Sequence, residues 1–347
     1  MSNIKTNIKE PSVSVVMPIY NHSRAQLLAA VNSILTQTLT DFELIIVDGN
    51  PDNSNYKIIH NLDDKRIKYF KTIGYINCLN LGIRKSRGKY IARMDSDDIS
   101  LPTRLQKQFD FLETHPETDL CSCKAKLFGD IKPRDSAYIS DLSLVGLISH
   151  SDFIHPAMMF RRSLNLQYEH IKPVEDCLLF RKLILDGKKM VILNHTLFKN
   201  NVSSESLMAR HPELTALQVA KTNVWSIAKY LNYPLSFTDS IMKKRYFSKQ
   251  EISEFLDFSK TAQKALPSLD IMRLFAPYLR FVSSHTDFNI YTASAYYKTY
   301  FPYDCKQILK KTAKFLFTVK NERINGVKYK IVQFCGYKIK LSVKKYA

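Results

Sequence analysis

Short apolar runs alternate with helix-like periods through the first 130 residues of the chain. Four of these runs are rich in β-branched and aromatic residues and predict strands: 13–17, 42–47, 67–70 and 90–94. Apolar positions at helical spacing follow the first, third and fourth runs. They predict three helices: 23–35, 77–85 and 102–112. Strands separated by helices indicate a mostly parallel sheet covered on both faces. The pattern therefore predicts an α/β fold.

Acidic residues stand where two of these strands end. Asp48 closes the second run, and Asp95 directly follows the fourth. In open α/β sheets the ligand crevice lies beyond the carboxyl ends of the strands. We therefore expect the chemistry of this protein at that edge of the sheet.

The pattern changes twice farther along the chain. Between residues 119 and 201 it is mixed, with one helix-like segment at 175–186 before Gly187. From about residue 211 the segments are helical and rich in Tyr and Phe. We predict a main domain, a helical C-terminal region and a basic tail: 1–210, 211–305 and 306–347.

Composition excludes disorder for most of the chain, because 45% of its 347 residues are hydrophobic and 12% are aromatic. The formal net charge is +19, which favours an anionic partner: nucleic acid, a phosphorylated substrate or an acidic lipid surface. The tail alone holds twelve Lys and Arg against one Glu, a net of +11. The basic tail is therefore separate in sequence from the carboxyl ends of the strands, where we expect the ligand.

Neither a signal peptide nor about 18 consecutive apolar residues is present, so we expect a cytoplasmic protein without a membrane span. The six cysteines lack the paired spacing of zinc sites. We interpret them as reduced thiols, mostly buried.

Three carboxylates stand within four residues at Asp95-Ser96-Asp97-Asp98. Because like charges repel, such a cluster is typical of a site where a cation neutralises it, and oxygen ligands suit Mg²⁺ or Mn²⁺. The alternative is a solvated turn or a helix N-cap, since Asp is favoured at both. The tetrapeptide by itself leaves both interpretations open.

Several blocks of the sequence resemble family 2 glycosyltransferases. They occur in the order of that family and extend from residue 12 to about residue 206: 15–21, 33–38, 42–48, 79–83, 88–98 and 175–176. The resemblance implies a GT-A fold, in which a nucleotide-sugar half (about 12–125) precedes an acceptor half (about 126–210). It also implies an enzyme that transfers a sugar from a UDP-sugar with inversion at the anomeric carbon.

The resemblance assigns the donor site residue by residue. Asp97 would hold Mn²⁺ or Mg²⁺, and Asp95 would bind the ribose, the ion or both. The ion would stabilise the negative charge of the departing diphosphate. The other residues that the resemblance places at the nucleotide-sugar are Pro18, Tyr20, Asn21, Asp48, Asn80, Arg93 and Ser96. From its position beside the acidic cluster, Arg93 could steady Asp95, or it forms an ion pair at the surface, which is the favoured interpretation.

One-step inversion needs a base opposite the leaving group. The resemblance assigns this role to Asp176, with Glu175 positioning the acceptor or the base. The alternative for both is a negatively charged helix start, which the helix dipole favours. His155 would lie near the acceptor, or it is a histidine of the core or of a loop.

Two departures from the family pattern affect the assignment. The second strand ends in the single acid Asp48, where relatives carry two, so the nucleotide contact of Asp48 stays open. The histidine that approaches the metal or diphosphate in relatives is replaced by Asn201, while Lys199 still offers positive charge. A non-catalytic scaffold with this fold is therefore an alternative to an active enzyme.

The resemblance further suggests bacterial enzymes that add N-acetylhexosamines to lipooligosaccharide or related surface glycans. The donor would be UDP-GlcNAc, UDP-GalNAc or another UDP-hexose, and the acceptor a glycan or lipid-linked glycan. The basic tail would then rest on the anionic inner face of the cytoplasmic membrane, or it is a small β-hairpin at 328–343 with Gly336 in the turn. Nucleic-acid binding is the less favoured alternative, because no nucleic-acid-binding motif is present.

Overall fold

The computed structural model describes most of the chain as helices, strands and connecting loops. The residues described are 10–20, 22–52, 54–149, 153–242, 248–284, 317–324, 327–334 and 337–342. The strands are β1 (Val13–Ile19), β2 (Phe42–Asp48), β3 (Ile67–Lys71), β4 (Tyr90–Arg93), β5 (Ile99–Ser100), β6 (Leu120–Gly129), β7 (Arg134–Asp135), β8 (Met159–Arg161), β9 (Met190–Val202), β10 (Phe317–Ile324), β11 (Val327–Phe334) and β12 (Tyr337–Ser342). The helices are α1 (Arg24–Leu35), α2 (Ser54–His60), α3 (Tyr75–Lys85), α4 (Arg104–Thr114), α5 (Leu144–Ser149), α6 (Glu175–Leu185), α7 (Leu207–Arg210), α8 (Pro212–Tyr230), α9 (Lys249–Ala265) and α10 (Ile271–Ser284).

Nine of the described strands form one mixed sheet, and its first half carries the predicted parallel pattern. The strand order is β3-β2-β1-β4-β8-β6-β9-β5, with β7 paired to β6. Strands β1 to β4 are mutually parallel, whereas β8 is antiparallel to both of its neighbours. The carboxyl ends of β1, β2 and β4 therefore lie at one edge, as expected from the alternation of strands and helices.

Local sequence signals explain where several elements begin and end. Ser23 and Gln26 form both hydrogen bonds of the predicted capping box at the start of α1. After α6, Gly187 has φ +71°, a conformation that favours glycine and ends the helix where predicted. Pro18 lies within β1, because β4 pairs with β1 only as far as Val16 and leaves no ladder bond for the proline to break on that side.

Both faces of the sheet are covered by apolar side chains. One cluster includes Val15, Leu44 and Ala92 from the strands together with Leu27 and Leu105 from α1 and α4. A second cluster lies on the opposite face. Alternate residues of the central strands thus enter different cores, which is why these strands read as continuous apolar runs.

The mixed region between residues 119 and 201 holds strands that the sequence pattern did not resolve. Strand β6 pairs with β9 in parallel, with a shift of register near Cys123 and Lys124. In β9 the consecutive polar residues 194–196 break the alternation of apolar and polar side chains and obscure the period of two. Residues 121–127 of β6 do alternate, so that strand had a usable signal.

Both helices and strands occur after residue 211 in the described part of the chain. Helices α8 to α10 are followed, among the described residues, by the antiparallel strands β10, β11 and β12. The predicted hairpin at 328–343 corresponds to β11 and β12, and Gly336 lies outside the described residues. In β11 and β12, Lys alternates with Tyr, Ile or Leu, and this alternation is typical of β-strands.

The chain divides into two compact units. The first comprises Met1–Met242 with Phe258–Pro277, and the second Lys243–Asp257 with Tyr278–Ala347. The predicted domain limits at residues 210 and 305 stay predictions. Among the described residues, no helix combines the length and apolarity needed to cross a membrane.

Candidate functional site

Strand β4 delivers three carboxylates to the edge of the sheet. Beyond Arg93, the Met94 N–H donates to the Val16 carbonyl at 3.0 Å, so the chain stays beside β1 as the strand ends. Carboxylate oxygens of Asp95, Asp97 and Asp98 then lie within 4.8 Å of one another. Asp95 and Asp97 are partly exposed, and Asp98 is buried.

The electrostatics of this acidic cluster fit a divalent cation. Burial and the neighbouring charge of Asp95 raise the pKa of Asp97. The same two causes, with Asp97 in addition, raise the pKa of Asp98 well above its ordinary value. Carboxylate oxygens this close together are the donor set that Mg²⁺ or Mn²⁺ prefers, so the residues present fit such an ion.

The end of β9 is tied to the acidic cluster through Asp98. The Asn201 N–H donates to Asp98 Oδ1 at 2.6 Å, and Asn200 Nδ2 donates to the same carboxylate at 3.1 and 3.2 Å. The Asn201 side chain donates from Nδ2 to Asp97 Oδ2 at 3.1 Å. Asn201 therefore lies beside the acidic cluster, and Lys199 is exposed on the same strand. The sequence analysis did not select Asp98, although its place in the acidic run was a usable signal.

Arg93 is buried, which makes the alternative of a surface ion pair wrong. Its side chain is 3% exposed, and Nη1 lies 2.5 Å from Asp95 Oδ2. Its Nη2 donates to the hydroxyl of Tyr75, a residue that the sequence analysis did not select. Arg93 is the last residue of β4 and lies opposite Val16 of β1 in the sheet.

The predicted base lies at the start of α6. Glu175 and Asp176 occupy the first turn of this helix, and Asp176 Oδ1 accepts a hydrogen bond from the Cys177 N–H at 2.7 Å. Glu175 is buried, and its Oε2 has no hydrogen-bond partner among the described residues. Burial raises the pKa of Asp176, and burial together with Asp176 raises that of Glu175 to about 7. A plain helix start explains the position of both acids but not the burial of Glu175.

Asp48 organises the turn after β2. Its carboxylate accepts hydrogen bonds from the Tyr69 hydroxyl at 2.5 Å, the Asn50 N–H at 2.8 Å and Asn55 Nδ2 at 3.3 Å. The side chain is fully buried, so its predicted nucleotide contact stays a prediction. Tyr20, 59% exposed, lies directly after β1 at the same edge.

The remaining predicted residues have varied surroundings. Asn80 is buried and bonds the backbone of Tyr168 with both polar atoms, at 2.8 and 2.9 Å. His155 is buried, its Nε2 lies 2.6 Å from the Tyr168 hydroxyl, and burial holds its pKa well below the ordinary value. The Ser96 hydroxyl is buried without a hydrogen-bond partner in the described part of the chain. Asn21 lies outside the described residues. The substrate contacts of these side chains stay predictions.

Comparison with known proteins agrees with the predicted family and fold. The sequence model described as Glycosyl transferase family 2 matches residues 14–184. An uncharacterized glycosyltransferase of Methanocaldococcus jannaschii is 42% identical over 32% of this chain and 40% of its own length. The O-antigen biosynthesis glycosyltransferase WbnJ of Escherichia coli is 29% identical over 45% of this chain and 63% of its own length. The chain thus spans less than two thirds of either relative.

Among solved structures, S. aureus TarS 1-349 is similar to nearly the whole chain. Its TM-score is 0.53 at 17% identity, with 96% of this chain and 100% of that chain covered. Its complex with UDP-GlcNAc gives a TM-score of 0.51 at 15% identity over the same shares. At these identities the likeness shows the fold, and it confirms the expected GT-A architecture.

The raised pKa of Glu175 predicts a pH-dependent stability. A carboxyl whose pKa is about 7 in the folded state and about 4.5 when unfolded stabilises the fold fully below pH 4.5. This contribution is lost as the pH rises through 7. We expect Glu175→Gln to leave the free energy of unfolding unchanged near pH 4 and to raise it by roughly 3 kcal/mol at pH 8.

Urea unfolding of wild type and variant across this pH range measures the difference. Glu213→Gln is the matched control, because Glu213 is an exposed acid in the first turn of α8. A Glu175→Gln effect that is the same at both pH values would contradict the prediction.

Proposed function

Because the chain belongs to glycosyltransferase family 2, we propose that it transfers a sugar from a nucleoside diphosphate to a glycan, with inversion at the anomeric carbon. The observation that carries the proposal is the pairing of two acidic groups. One is the acidic cluster after β4, and the other is Glu175 and Asp176 at the start of α6. The two groups supply the two functions that one-step transfer needs: charge stabilisation of the leaving group and a base for the acceptor.

The donor end is assigned to the acidic cluster. Asp97 and Asp95 present partly exposed carboxylates and would hold Mn²⁺ or Mg²⁺, while Asp98 is occupied by the end of β9. A divalent cation bound there supplies positive charge for the oxygens of a diphosphate. Asn201 orients Asp97 through its side-chain amide, and Lys199 is near enough along β9 to add positive charge at the rim.

The acceptor end is assigned to α6. Asp176 accepts the proton of the attacking hydroxyl, and its partial exposure leaves it accessible to an acceptor. Glu175, buried and with a pKa near 7, can hold a proton at neutral pH and donate a hydrogen bond from its carboxyl. We assign to Glu175 the orientation of the acceptor or of Asp176.

A UDP-sugar is the proposed donor, and a UDP-N-acetylhexosamine its favoured form. The support is a shared fold with TarS, whose structure in complex with UDP-GlcNAc covers nearly the whole of this chain. Surface glycan is the proposed acceptor class. Support for it comes from WbnJ, whose name assigns it to O-antigen biosynthesis.

A panel of nucleotide sugars tests the donor. UDP-GlcNAc, UDP-GalNAc and UDP-Glc with Mn²⁺ should raise the melting temperature of the protein, because ligands that bind only the folded state stabilise it by mass action. GDP-mannose and CDP-activated sugars serve as controls and should leave it unchanged. Stabilisation by GDP-mannose rather than by any UDP-sugar would overturn the proposed donor.

Substitution of single carboxylates tests the two acidic ends. Asp176→Asn should lower kcat for acceptor-dependent UDP release by roughly 100-fold or more, since general-base catalysis contributes about that factor to the rate. Asp97→Asn should abolish release that depends on Mn²⁺, and EDTA should do the same to the wild type.

The matched control for both variants is Asp186→Asn, an exposed acid at the other end of α6. It should retain wild-type rates. If wild type binds the donor but releases no UDP with any glycan acceptor, the alternative of a non-catalytic scaffold replaces this proposal.

The basic tail is the proposed contact with an anionic membrane surface, which would place the enzyme on the inner face of the cytoplasmic membrane. Register supports a clustered charge: Lys320 and Lys340 are both paired with Ile331, on opposite sides of β11. Lys338 lies two residues before Lys340 in β12, so the three lysines are close together in the strand register. Lysines that lie close together add their attraction to an anionic surface.

Neutralising these three lysines tests the membrane contact in the full chain. The triple Lys→Gln variant at 320, 338 and 340 should bind phosphatidylglycerol vesicles at least ten-fold more weakly, because each lysine near the surface contributes about 1 kcal/mol. A control variant removes three exposed lysines of the first unit: Lys57, Lys107 and Lys132. Equal loss of co-sedimentation in both variants would exclude a specific role of the tail.

A further inference from the structure

Arg93, at the end of β4, contacts two residues: Asp95, a proposed metal ligand, and Tyr75 of α3. Its Nη1 lies 2.5 Å from Asp95 Oδ2, and its Nη2 donates to the Tyr75 hydroxyl. Its backbone is also fixed: the N–H donates to the Met158 carbonyl at 2.9 Å, and the carbonyl accepts from Arg104 Nη2 at 3.1 Å. The guanidinium therefore has a defined place under the acidic cluster.

Tyr75 connects this guanidinium with the segment that leads into α6. It is the first residue of α3, and its ring lies below the ammonium of Lys172, 5.6 Å from the ring centroid. Lys172 precedes Glu175 by only three residues. The Tyr75 side chain thus contacts Arg93 of β4 through its hydroxyl and Lys172 through its ring. Lys172 belongs to the segment that leads to the proposed base.

Arg93 is a buried cation that is held on two sides. Asp95 contacts it from the acidic cluster, and the Tyr75 hydroxyl contacts it from the start of α3. This buried charge needs firm anchoring, because its interaction with Asp95 depends steeply on distance.

We propose that Tyr75 and Arg93 form a positioning pair that fixes the acidic cluster after β4 relative to the proposed base at the start of α6. The inference rests on the proposed function, since it concerns how donor and base are aligned. The pair touches neither reacting atom. It acts by holding Asp95 and by joining α3 to the segment before α6, so its loss misaligns a donor that still binds.

Tyr75→Phe is the decisive variant, because it removes only the hydroxyl and keeps the ring below Lys172. We expect kcat to fall roughly ten-fold while KM for the UDP-sugar stays within about two-fold, since alignment and not binding is lost. Tyr90→Phe is the matched control: the Tyr90 hydroxyl accepts from Arg161 Nη1 at 3.1 Å, another tyrosine–arginine pair on β4. Its kcat should equal that of the wild type.

Two further measurements separate positioning from general damage. Mn²⁺ affinity by calorimetry, without donor, should be equal in wild type and Tyr75→Phe, because Asp95 and Asp97 both remain. Arg93→Lys should retain more activity than Arg93→Met, since the ammonium keeps the charge beside Asp95. Equal activity of the two Arg93 variants would overturn the inference.

The results distinguish this inference from the proposed function. Wild-type protein that releases no UDP would overturn both. Active wild type with equal kcat in Tyr75→Phe and Tyr90→Phe would overturn the positioning pair and leave the proposed function in place. A loss of Mn²⁺ affinity in Tyr75→Phe as large as the loss of kcat would also overturn it, because Tyr75 would then only support the metal-binding candidate.

Discussion

Repulsion among carboxylates at one edge of the sheet is the constraint on which this site depends. Asp95, Asp97 and Asp98 lie within 4.8 Å of one another, and Glu175 with Asp176 adds two more acids on α6. Such a concentration of negative charge is costly in a folded protein unless cations and hydrogen-bond donors oppose it. The residues around the site supply these cations and hydrogen-bond donors.

The acids differ in the hydrogen bonds and ion pairs that oppose their negative charge. Asp98 is buried and accepts hydrogen bonds from the end of β9, which removes it from the solvent and joins two halves of the sheet. Asp95 pairs with buried Arg93, whereas Asp97 is partly exposed and accepts a hydrogen bond from the amide of Asn201. Glu175 Oε2 has no hydrogen-bond partner among the described residues, and burial together with Asp176 raises the pKa of Glu175. These differences assign different tasks to chemically identical groups.

The departures from the family pattern find a structural setting in this arrangement. At Asn201, where the resemblance to the family leads one to expect a histidine, the side chain and the backbone both donate to the acidic cluster. An amide remains neutral at every physiological pH, so its hydrogen bonds do not depend on protonation as those of a histidine do. At the second strand, the single acid Asp48 is held by three donors and shapes the turn that follows. Both positions are integrated into the fold.

The sequence by itself determined the α/β alternation, the four parallel strands and the acids at their ends, because apolar period and strand-end composition are local properties. It also located the capping box of α1 and the glycine that ends α6. Only the tertiary structure decided that Arg93 is buried against Asp95, that Asp98 accepts hydrogen bonds from the end of β9, and that Tyr75 contacts both Arg93 and Lys172. These facts depend on contacts between residues far apart in the chain, and no local pattern records which side chains the packing of a sheet will bring together.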